Sequence, residues 1–479
     1  MTRLIHRPEP WVFLILLGTY SAFWQARDWN SASRLMLTYA IVDHATVSIS
    51  GLEDQTHDRA FVQGRFYTDK LPGLSLLGVP PYLLAKLVFR LPSHPLDAKG
   101  FPLWPADYWV TLGTSGLLSA LAAVVLVRIA RSLGCSPRRA ALVGLAYGLA
   151  TPAFPYATLC YGHQASAFAL IASFALIWQP HGPPPRPALH AVLAGFLASY
   201  AAVIEFQVGL VSAILGLYLL AQALGALRKP TTVGDFAVGA LVPTLILLVY
   251  NFLAFGSPCD MGYFHLTTKI FADVHSTQNP LGLHRPDTAR AFALIWGRYR
   301  GLLFYAPILI LTPFGMITLI RRGFHGAAII SLSTILAVFA VNLSYPEWTG
   351  GWTTGPRLLV PLIPFALIPV AALLASPNRI VLPLALLLSA SGAILMLLFV
   401  AVGARVPQFY PDPLLQVVLP LWRGATIPGW TGEPFARSLL TPYFPTSPRW
   451  LPILPLVIAQ SFALILMFKM LNPPAQPPQ

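Results

Sequence analysis

The chain has 479 residues, of which 56% are hydrophobic and only 10% charged, and its net charge is +14. Ordinary soluble domains carry about 25% charged residues, so the composition excludes a soluble globular protein and indicates a polytopic membrane protein. In a soluble protein the positive charge would suggest nucleic-acid binding. In a membrane protein it reflects the retention of Lys and Arg on the cytoplasmic side, so we expect no nucleic-acid partner.

Apolar runs close to the roughly 20 residues that cross a bilayer as a helix recur along the whole chain. The runs are continuously apolar rather than alternating, which favours helices over a β-barrel. The predicted fold is therefore an all-α polytopic membrane protein with about twelve transmembrane helices, within a range of eleven to thirteen. The predicted spans are 11–26, 108–127, 140–157, 163–178, 188–204, 206–227, 236–255, 301–320, 326–344, 358–375, 380–403 and 449–470.

The distribution of Arg and Lys predicts how the chain is threaded. The first apolar run lacks a small-residue cleavage site, so we expect it to remain as a signal anchor with the N-terminus in the cytoplasm. Every short connection that then faces the cytoplasm carries Arg or Lys, as the positive-inside rule requires. This threading needs residues 71–91 not to cross the membrane, and the prolines and basic residues of that stretch predict a kinked juxtamembrane helix instead.

The same threading predicts one transmembrane domain over 1–479, in the cytoplasmic (inner) membrane, with both termini in the cytoplasm and 472–479 as a disordered tail. Of the 17 acidic residues, all but Glu9 and Asp235 then lie on the outer face or at a helix end there. We therefore expect the active site to be extracytoplasmic. The long segments assigned to the outer face are 27–107, 256–300, 345–357 and 404–448.

The first outer loop is the most informative of these segments. Its apolar residues Leu35, Leu37, Ile41 and Val42 predict a helix that lies on the membrane, with Arg34 near its start. The charged stretch that follows is either a solvated surface loop or a functional site. In the second case its cations bind a phosphate next to its carboxylates. Its members are Glu53, Asp54, His57, Asp58, Arg59, Arg65, Asp69 and Lys70.

Four further residues stand out in later segments. His163 lies at the outer mouth of a span, where it is either a packing residue or a functional group. Glu347 and Arg357 flank a stretch rich in Trp and Gly, and we expect them to border the same cavity as the first loop. Arg300 at a helix entrance suits either phosphate binding or contact with lipid headgroups.

Metal and disulfide sites have little support in the sequence. His57, His163 and His265 do not have the spacing of metal ligands. A divalent metal is therefore an alternative that no motif supports. The three cysteines form no disulfide framework, and whether Cys160 and Cys259 pair stays open.

Several blocks carry a family resemblance: NSASR, THDRA, YTDKLPG, YGHQ, FGSP, RGLLFYAP and GGWTTGPR. In their order along the chain they resemble the GT-C membrane glycosyltransferases, within these the family 39-like group of protein mannosyltransferases and aminoarabinose transferases. The resemblance implies transfer of a sugar from a polyprenyl-phosphate donor to a lipid, glycan or protein acceptor at the outer membrane face, without a nucleotide cofactor. It also implies that Lys70 meets the donor phosphate and that an acid of the first loop is the base.

One position departs from the family pattern. Asn30 and Ser31 stand where these enzymes usually have an acid, and neither side chain can act as a base. We therefore expect Asp58 to be the base and Asp69 to orient Lys70. The candidate residues are Asp58 and Asp69 as catalytic carboxylates, Lys70, Arg59 and Arg357 as donor-phosphate ligands, and Arg34, His163, Glu347 and Arg300 as further pocket residues.

Two other functions remain alternatives at this stage. A lipid or glycan transporter or flippase would also be polytopic, but the predicted spans hold almost no ionisable residue at mid-membrane depth and show no inverted repeat. A non-catalytic GT-C-like envelope assembly protein would explain the missing acid at Asn30 and Ser31. The identity of the sugar and of the acceptor is not encoded in any motif.

Overall fold

The structure of the chain is a computed structural model that describes residues 6–25, 28–92, 105–182, 186–225, 227–275, 279, 281–425, 427, 437–440, 443 and 450–471. The predicted tail 472–479 lies outside these residues, as do parts of the first and last outer segments. The longer helices are Pro8–Ser21 (α1), Trp29–His44 (α2), Gly73–Phe89 (α3), Ala106–Ser132 (α4), Pro137–Leu149 (α5), Gly162–Ile177 (α6), Pro187–Ile204 (α7), Phe206–Leu224 (α8), Thr231–Phe255 (α9), Pro307–Arg321 (α10), His325–Ser344 (α11), Arg357–Leu374 (α12), Val381–Val402 (α13) and Leu451–Met470 (α14).

Shorter helical segments connect these helices, at Glu53–Gln55, Ala153–Ala157, Gly262–Phe264, Lys269–Ala272, Ala289–Ile295, Leu302–Tyr305, Leu414–Val418 and Leu419–Trp422. The described strands are Phe23–Trp24 (β1), Arg59–Val62 (β2), Arg65–Thr68 (β3) and Arg437–Ser438 (β4). β1 pairs with β4 and β2 with β3, both antiparallel. The predicted all-α polytopic membrane fold is thus confirmed, with two very small sheets added to it.

The structure agrees with the predicted positions of the spans better than with their predicted number. Within the described residues, 8 helices are long and apolar enough to cross a membrane, and each coincides with a predicted span. The other four predicted spans fall on α1, α5, α6 and α10, which are shorter. Prolines explain part of the shortening, because Pro152 and Pro155 lie where α5 has ended and a separate short helix forms. A multi-pass protein is therefore confirmed, whereas the total of twelve is not.

α12 is the central helix of the bundle. In its most apolar 18-residue stretch 89% of the residues are buried, compared with 56% or less in the other seven candidate spans. A helix that is apolar on all sides has to be enclosed by other helices or by lipid, and here other helices enclose it. Arg357, the first residue of α12, therefore lies at the middle of one end of the bundle.

The basic connections predicted to face the cytoplasm meet at one end of the molecule. Arg138 Nη2 donates to the carbonyl of Phe468 at 2.6 Å, and Arg139 Nη1 donates to the carbonyl of Leu374 at 2.8 Å. Both carbonyls belong to the last turn of a helix, where cations are favourable because the helix dipole is negative there. Two Arg residues at the start of α5 thus tie together the ends of α12 and α14.

The acid-rich segments meet at the opposite end. Ala60 of the first loop forms a β-bridge with Leu266 of the segment 256–300. Arg298 of that segment forms an ion pair with Asp412 at 3.2 Å. Segments that are far apart in sequence are thereby joined into one surface at this end.

Helix α2 forms where the apolar pattern predicts it, but its surroundings differ from the prediction. All residues from Ser31 to Ala40 are buried within the protein, and Leu35 and Leu37 are 1% and 0% exposed. The prediction that this face lies against the membrane is therefore wrong for these two residues. They instead join a cluster of buried apolar residues shared with α3.

The first loop also contains a β-hairpin that the sequence analysis did not anticipate. Gln63 and Gly64 both have positive φ angles, 49° and 79°. Two such residues form the turn whose twist matches that of paired strands. Arg59 pairs with Thr68 in the register of β2 and β3, so Asp58 is brought opposite Asp69.

Gly73 begins α3 directly after the Lys70-Leu71-Pro72 stretch and touches the end of α7. A Cβ added to Gly73 would lie 2.7 Å from both the carbonyl carbon and the carbonyl oxygen of Val203. Real side chains do not approach a backbone so closely. The Pro-Gly break therefore lets α3 start against α7, and this contact positions the residues just before it.

We predict that Gly73→Ala lowers the free energy of unfolding by about 1–3 kcal/mol, the usual cost of overpacking a close contact. Thermal unfolding in detergent measures the change. Gly209→Ala is the matched control, because the nearest atom to an added Cβ there is Ala202 Cβ at 3.8 Å. Equal melting temperatures for the two variants would contradict the close contact at Gly73.

Candidate functional site

Lys70 lies between two carboxylates of the first loop. Its Nζ is 2.9 Å from Asp58 Oδ2 and 2.7 Å from Asp69 Oδ2. The hairpin explains this arrangement, because Asp58 precedes β2 while Asp69 and Lys70 follow β3, its antiparallel partner. Asp58 and Asp69 are buried and Lys70 is largely buried, with exposed side-chain fractions of 9%, 2% and 12%.

Ser33 of α2 fixes this charged cluster to the rest of the protein. Its Oγ donates to the carbonyl of Asp58 at 2.6 Å and lies 2.5 Å from Thr68 Oγ1. The same Oγ lies 3.3 Å from Asp69 Oδ1. A single hydroxyl therefore holds both ends of the hairpin against α2.

Burial and the neighbouring charges together set the protonation of the cluster. Burial raises the pKa of Asp69 to about 6, with Lys70 acting to lower it and Asp58 to raise it. Burial acts to lower the pKa of Lys70, but Asp58 and Asp69 together raise it above its ordinary value. Lys70 therefore stays positively charged, while Asp69 changes its charge near neutral pH.

A second ion pair lies next to this cluster. Arg34 Nη2 donates to Glu205 Oε1 at 2.6 Å, and Arg34 is only 2% exposed. His163 Nδ1 lies 3.9 Å from the same carboxylate oxygen. Burial acts to raise the pKa of Glu205, but Arg34 and then His163 outweigh it, so the net pKa lies below its ordinary value.

Asp28 forms a third charged group at the start of α2. It caps the helix, since its Oδ1 accepts the N–H of Ser31 at 2.9 Å. Its Oδ2 accepts the Tyr161 hydroxyl and lies 3.8 Å from Arg405 Nη1. Burial acts to raise the pKa of Asp28, but Arg405 and the hydrogen bonds hold it below its usual value.

Arg357 reaches the first loop through the same tyrosine. Its guanidinium carbon lies 5.3 Å from the centre of the Tyr161 ring, a cation–π contact. Among the described residues, no carboxylate forms an ion pair with Arg357, and its buried Nε has no hydrogen-bond partner. The Tyr161 hydroxyl donates to Asp28, so the connection 345–357 and the first loop meet here.

Aromatic residues line the other side of Lys70. Its Nζ is 5.9 Å from the centre of the Tyr263 ring, and the rings of Tyr263 and His275 are 4.7 Å apart. His275 Nε2 lies 3.2 Å from the hydroxyl of Tyr345. Burial raises the pKa of Tyr345 to about 12, and the charges of Lys70 and Arg357 act to lower it.

A small cavity of about 10 Å³ lies beside these groups, with room for about one water molecule. Residues from α6, α8, α11 and α12 and from the turn between α7 and α8 form its walls. The lining residues are His163, Glu205, Gln207, Val208, Val338, Val341, Asn342, Tyr345, Leu358 and Pro361.

Three residues predicted for the site are placed differently. Arg59 Nη1 contacts the Glu53 carbonyl at 2.6 Å and Asp54 Oδ1 at 3.5 Å, on the other side of β2 from Lys70. The structure therefore does not bring Arg59 to the cluster.

Arg300 is fully buried, and its Nε and Nη2 donate to the carbonyls of Thr349 and Gly351, each at 2.9 Å. It supports the connection 345–357 rather than opening onto the cavity. Glu347 lies in this connection, where its carbonyl accepts the N–H of Gly350 at 2.9 Å, and its side chain forms no ion pair with a described residue.

The sequence analysis did not include two residues that lie in the candidate site. Asp28 lies two residues before Asn30, so the start of the juxtamembrane helix does carry an acid. Its signal was the N-cap position ahead of an apolar pattern. Glu205 is a lone acid between two predicted spans, and no sequence rule pairs it with Arg34, 171 positions away.

Within the described part of the chain, no three His, Cys, Asp or Glu side chains are grouped so that they could hold a metal ion. The ion pairs that the site brings together offer electrostatic and acid–base chemistry. Cations lie beside carboxylates in a largely dehydrated pocket, where charge interactions are strong.

Comparison with known proteins identifies the fold. No protein-family model and no curated protein matches the chain. Among solved structures, the chain is similar to ArnT from Cupriavidus metallidurans bound to undecaprenyl phosphate, with 14% identity and a TM-score of 0.51 over 96% of this chain and 74% of that one. The apo state of the same protein gives 15% identity and a TM-score of 0.51 over 96% and 73%.

The oligosaccharyltransferase AglB from Archaeoglobus fulgidus, in complex with an inhibitory peptide and a dolichol-phosphate, has 12% identity and a TM-score of 0.47 over 88% of this chain and 60% of that one. ArnT is an aminoarabinose transferase with the GT-C fold. The similarity to ArnT therefore confirms the GT-C fold that the sequence blocks predict.

We predict that Asp69 titrates at about pH 6 in the folded protein. Because this pKa lies above the unfolded value, Asp69 stabilises the fold below pH 4 or so, and the contribution is lost as the pH rises through about 6. Infrared difference spectra between pH 5 and pH 7.5, roughly one unit either side, should show a protonated carboxyl band that Asp69→Asn removes.

The control is Asp54→Asn, since the Asp54 side chain is 94% exposed. The band should persist in this variant. A band that survives in Asp69→Asn would show that another carboxyl group titrates in this range.

Proposed function

We propose that this chain, which has the GT-C fold, is a membrane glycosyltransferase that moves a sugar from a polyprenyl-phosphate carrier to an acceptor. The ArnT structure with the same fold contains undecaprenyl phosphate, which supports a carrier of this class here. We further propose that the site faces the extracytoplasmic side of the cytoplasmic membrane. The Arg-rich loops at the opposite end of the molecule support this orientation, because such loops are retained in the cytoplasm.

The observation that carries the proposal is the position of Lys70. Its ammonium group has three N–H donors, and the carboxylates of Asp58 and Asp69 account for two of them. The third is available to a phosphate oxygen. The pair of carboxylates holds the ammonium in place, which is the preorganisation that stabilises a charge developing in a transition state.

Two further cations support a phosphate at this place. Arg34 Nη1 and Arg357 Nε are buried, and neither has a hydrogen-bond partner among the described residues. A buried N–H without a partner destabilises a protein, so such groups usually mark a ligand or a water site. A phosphate carries enough acceptor oxygens to satisfy Lys70 and a guanidinium group together.

The reaction that follows from this placement is a displacement at the anomeric carbon. An acceptor hydroxyl forms a bond to that carbon while the bond from the carbon to the phosphate oxygen breaks. The hydroxyl proton passes to a carboxylate, and the phosphate leaves with the lipid and the bonding electron pair. Lys70 and Arg357 stabilise the negative charge that builds up on the leaving phosphate.

Asp58 is the proposed base, because it contacts the same ammonium group that holds the phosphate. Asp58 Oδ2 lies 2.9 Å from Lys70 Nζ, so a hydroxyl that attacks the sugar on the bound phosphate comes close to this carboxylate. Asp28 is the second candidate, favoured by its place at the start of α2, where the family resemblance puts an acid. Asp69 keeps Lys70 in position in either case.

We predict that Lys70→Met lowers the rate of sugar transfer by a factor of about 10² or more, the scale for losing one preorganised charge-stabilising group. Transfer from a radiolabelled polyprenyl-phosphate sugar, measured with membranes, reports the change. Arg59→Gln is the matched control, since Arg59 lies on the same hairpin and contacts Asp54 instead. We expect it to retain more than about a tenth of the activity, because exposed ion pairs contribute little. Similar losses in both variants would contradict the assignment of Lys70.

We predict that Asp58→Asn abolishes transfer but still binds undecaprenyl phosphate, because the amide cannot accept the proton. Asp28→Asn separates the two candidates. If Asp58→Asn retains turnover and Asp28→Asn loses it, the base is Asp28. If both variants keep nearly normal turnover, neither carboxylate is the base.

A further inference from the structure

Four arginines at the basic end of the molecule have no acidic partner. Arg131 lies in the last turn of α4 and Arg139 in the first turn of α5, while Arg321 ends α10 and Arg322 follows it. None of the four forms an ion pair with a residue that the structure describes. We call these four residues the basic cluster. Its positive charge is not neutralised by a described carboxylate.

Two separate connections contribute to the basic cluster and lie against each other. Arg131 Nη1 donates to the carbonyl of Cys135, in the connection between α4 and α5. Gly134 of the same connection lies next to the end of α10, since a Cβ added to it would be 3.3 Å from Arg322 Nη2. The positive-inside rule explains why each connection is basic, but it does not require that two of them meet.

An apolar side of α10 leads to the basic cluster. Phe314 and Ile317 are 58% and 50% exposed, and Arg321 is exposed as well. These three residues are spaced by three and four positions, so they lie on one side of the helix, over a length of about 10 Å. The opposite side packs on α12, because a Cβ added to Gly315 would lie 2.1 Å from the carbonyl oxygen of Pro369.

A phospholipid has the same division into an apolar part and a phosphate. Within a bilayer, the exposed apolar side of a helix contacts acyl chains, and a basic residue at its end reaches the headgroups. A guanidinium group binds two phosphate oxygens at once. The side chains of Arg321 and Arg322 are exposed and make no hydrogen bond to a described residue, so their donors are available to a headgroup.

We propose that the basic cluster and the apolar side of α10 bind an anionic phospholipid. The headgroup phosphate lies at Arg321 and Arg322, with Arg131 close by, and an acyl chain lies along Phe314 and Ile317. A zwitterionic lipid carries its own cation beside the phosphate, so a headgroup with a net negative charge is preferred. This site goes beyond the proposed function, because it lies at the other end of the molecule from Lys70 and takes no part in the transfer reaction.

Native mass spectrometry of the protein released from nanodiscs tests the site. The nanodiscs contain phosphatidylglycerol and phosphatidylcholine with identical acyl chains, and the ratio of the two lipids that stay bound is measured. We expect phosphatidylglycerol to be enriched on the wild type. Arg322→Gln should lower the affinity for phosphatidylglycerol about fivefold, the contribution of one arginine near an anionic lipid, and leave phosphatidylcholine unchanged.

Arg186→Gln is the matched control. Arg186 is an exposed arginine of another basic connection, just before α7, so its loss removes the same charge outside the basic cluster. We expect this variant to retain the preference for phosphatidylglycerol. Equal losses in Arg186→Gln and Arg322→Gln would show that the general surface charge attracts the lipid, which would overturn the inference. Equal amounts of both lipids on the wild type would overturn it too.

Thermal unfolding distinguishes lipid binding from a structural role of Arg322. In phosphatidylcholine alone, Arg322→Gln should melt at the wild-type temperature, because the side chain is exposed. Phosphatidylglycerol should raise the melting temperature of the wild type more than that of the variant, since a ligand that binds the folded state stabilises it. If Arg322→Gln unfolds early in both lipids, Arg321→Gln takes its place with the same expected loss, and an unchanged lipid preference in that variant contradicts the site.

Inorganic phosphate as a competitor separates a lipid headgroup from a soluble anion. The apolar side of α10 adds to the affinity for a lipid only, so phosphatidylglycerol should stay bound at a phosphate concentration equal to that of the buffer salt. Displacement of the lipid by phosphate would assign the basic cluster to a soluble anion and contradict the inference. Arg322→Lys, which keeps the charge but cannot bind two oxygens at once, should retain part of the lipid preference.

Discussion

The site depends on the contact of the Lys70 ammonium group with the carboxylates of Asp58 and Asp69. A buried charge is very unfavourable unless it is paired and hydrogen-bonded, so the fold has to keep both carboxylates within reach. It does so through the hairpin register, which sets Asp58 opposite Asp69, and through Ser33, which bonds to both ends of the hairpin. The close start of α3 at Gly73 then fixes Lys70 next to the end of α7.

Around this centre, charges are balanced in a way that leaves room for an anion. Arg34 is paired with Glu205, and Arg405 lies close to Asp28. Arg357 contacts a tyrosine ring and has no carboxylate partner among the described residues. Because these groups are buried, the field they create acts on a ligand with little screening by water. The arrangement is typical of a site that binds a negatively charged group and stabilises additional charge on it.

The sequence predicted the helical elements and the charged first loop correctly for physical reasons. Continuous apolar runs mark helices, and Asp58, Asp69 and Lys70 are close in sequence, so their proximity follows from a short-range turn. The hairpin itself was recoverable, since Gln63-Gly64 stands between two strand-like segments. The number of spans was harder to predict, because four of the helices are shorter than expected and prolines follow the early end of α5.

The partners contributed by distant segments were not predictable from the sequence. Glu205 meets Arg34 only because the end of α7 packs beside the first loop. Arg59 illustrates the converse. It stands next to Asp58 in sequence, yet alternation along β2 turns it away from Lys70. Local pattern therefore predicted the cluster of Asp58, Asp69 and Lys70, while tertiary packing decided which other residues lie near it.

A structure of the protein with undecaprenyl phosphate bound, determined by electron cryo-microscopy, tests the central claim most directly. The account predicts that a phosphate oxygen lies within about 3 Å of Lys70 Nζ, the distance of a charge-assisted hydrogen bond, with Arg357 or Arg34 on the same phosphate. A phosphate bound elsewhere, with Lys70 still in contact with Asp58 and Asp69 alone, would contradict it.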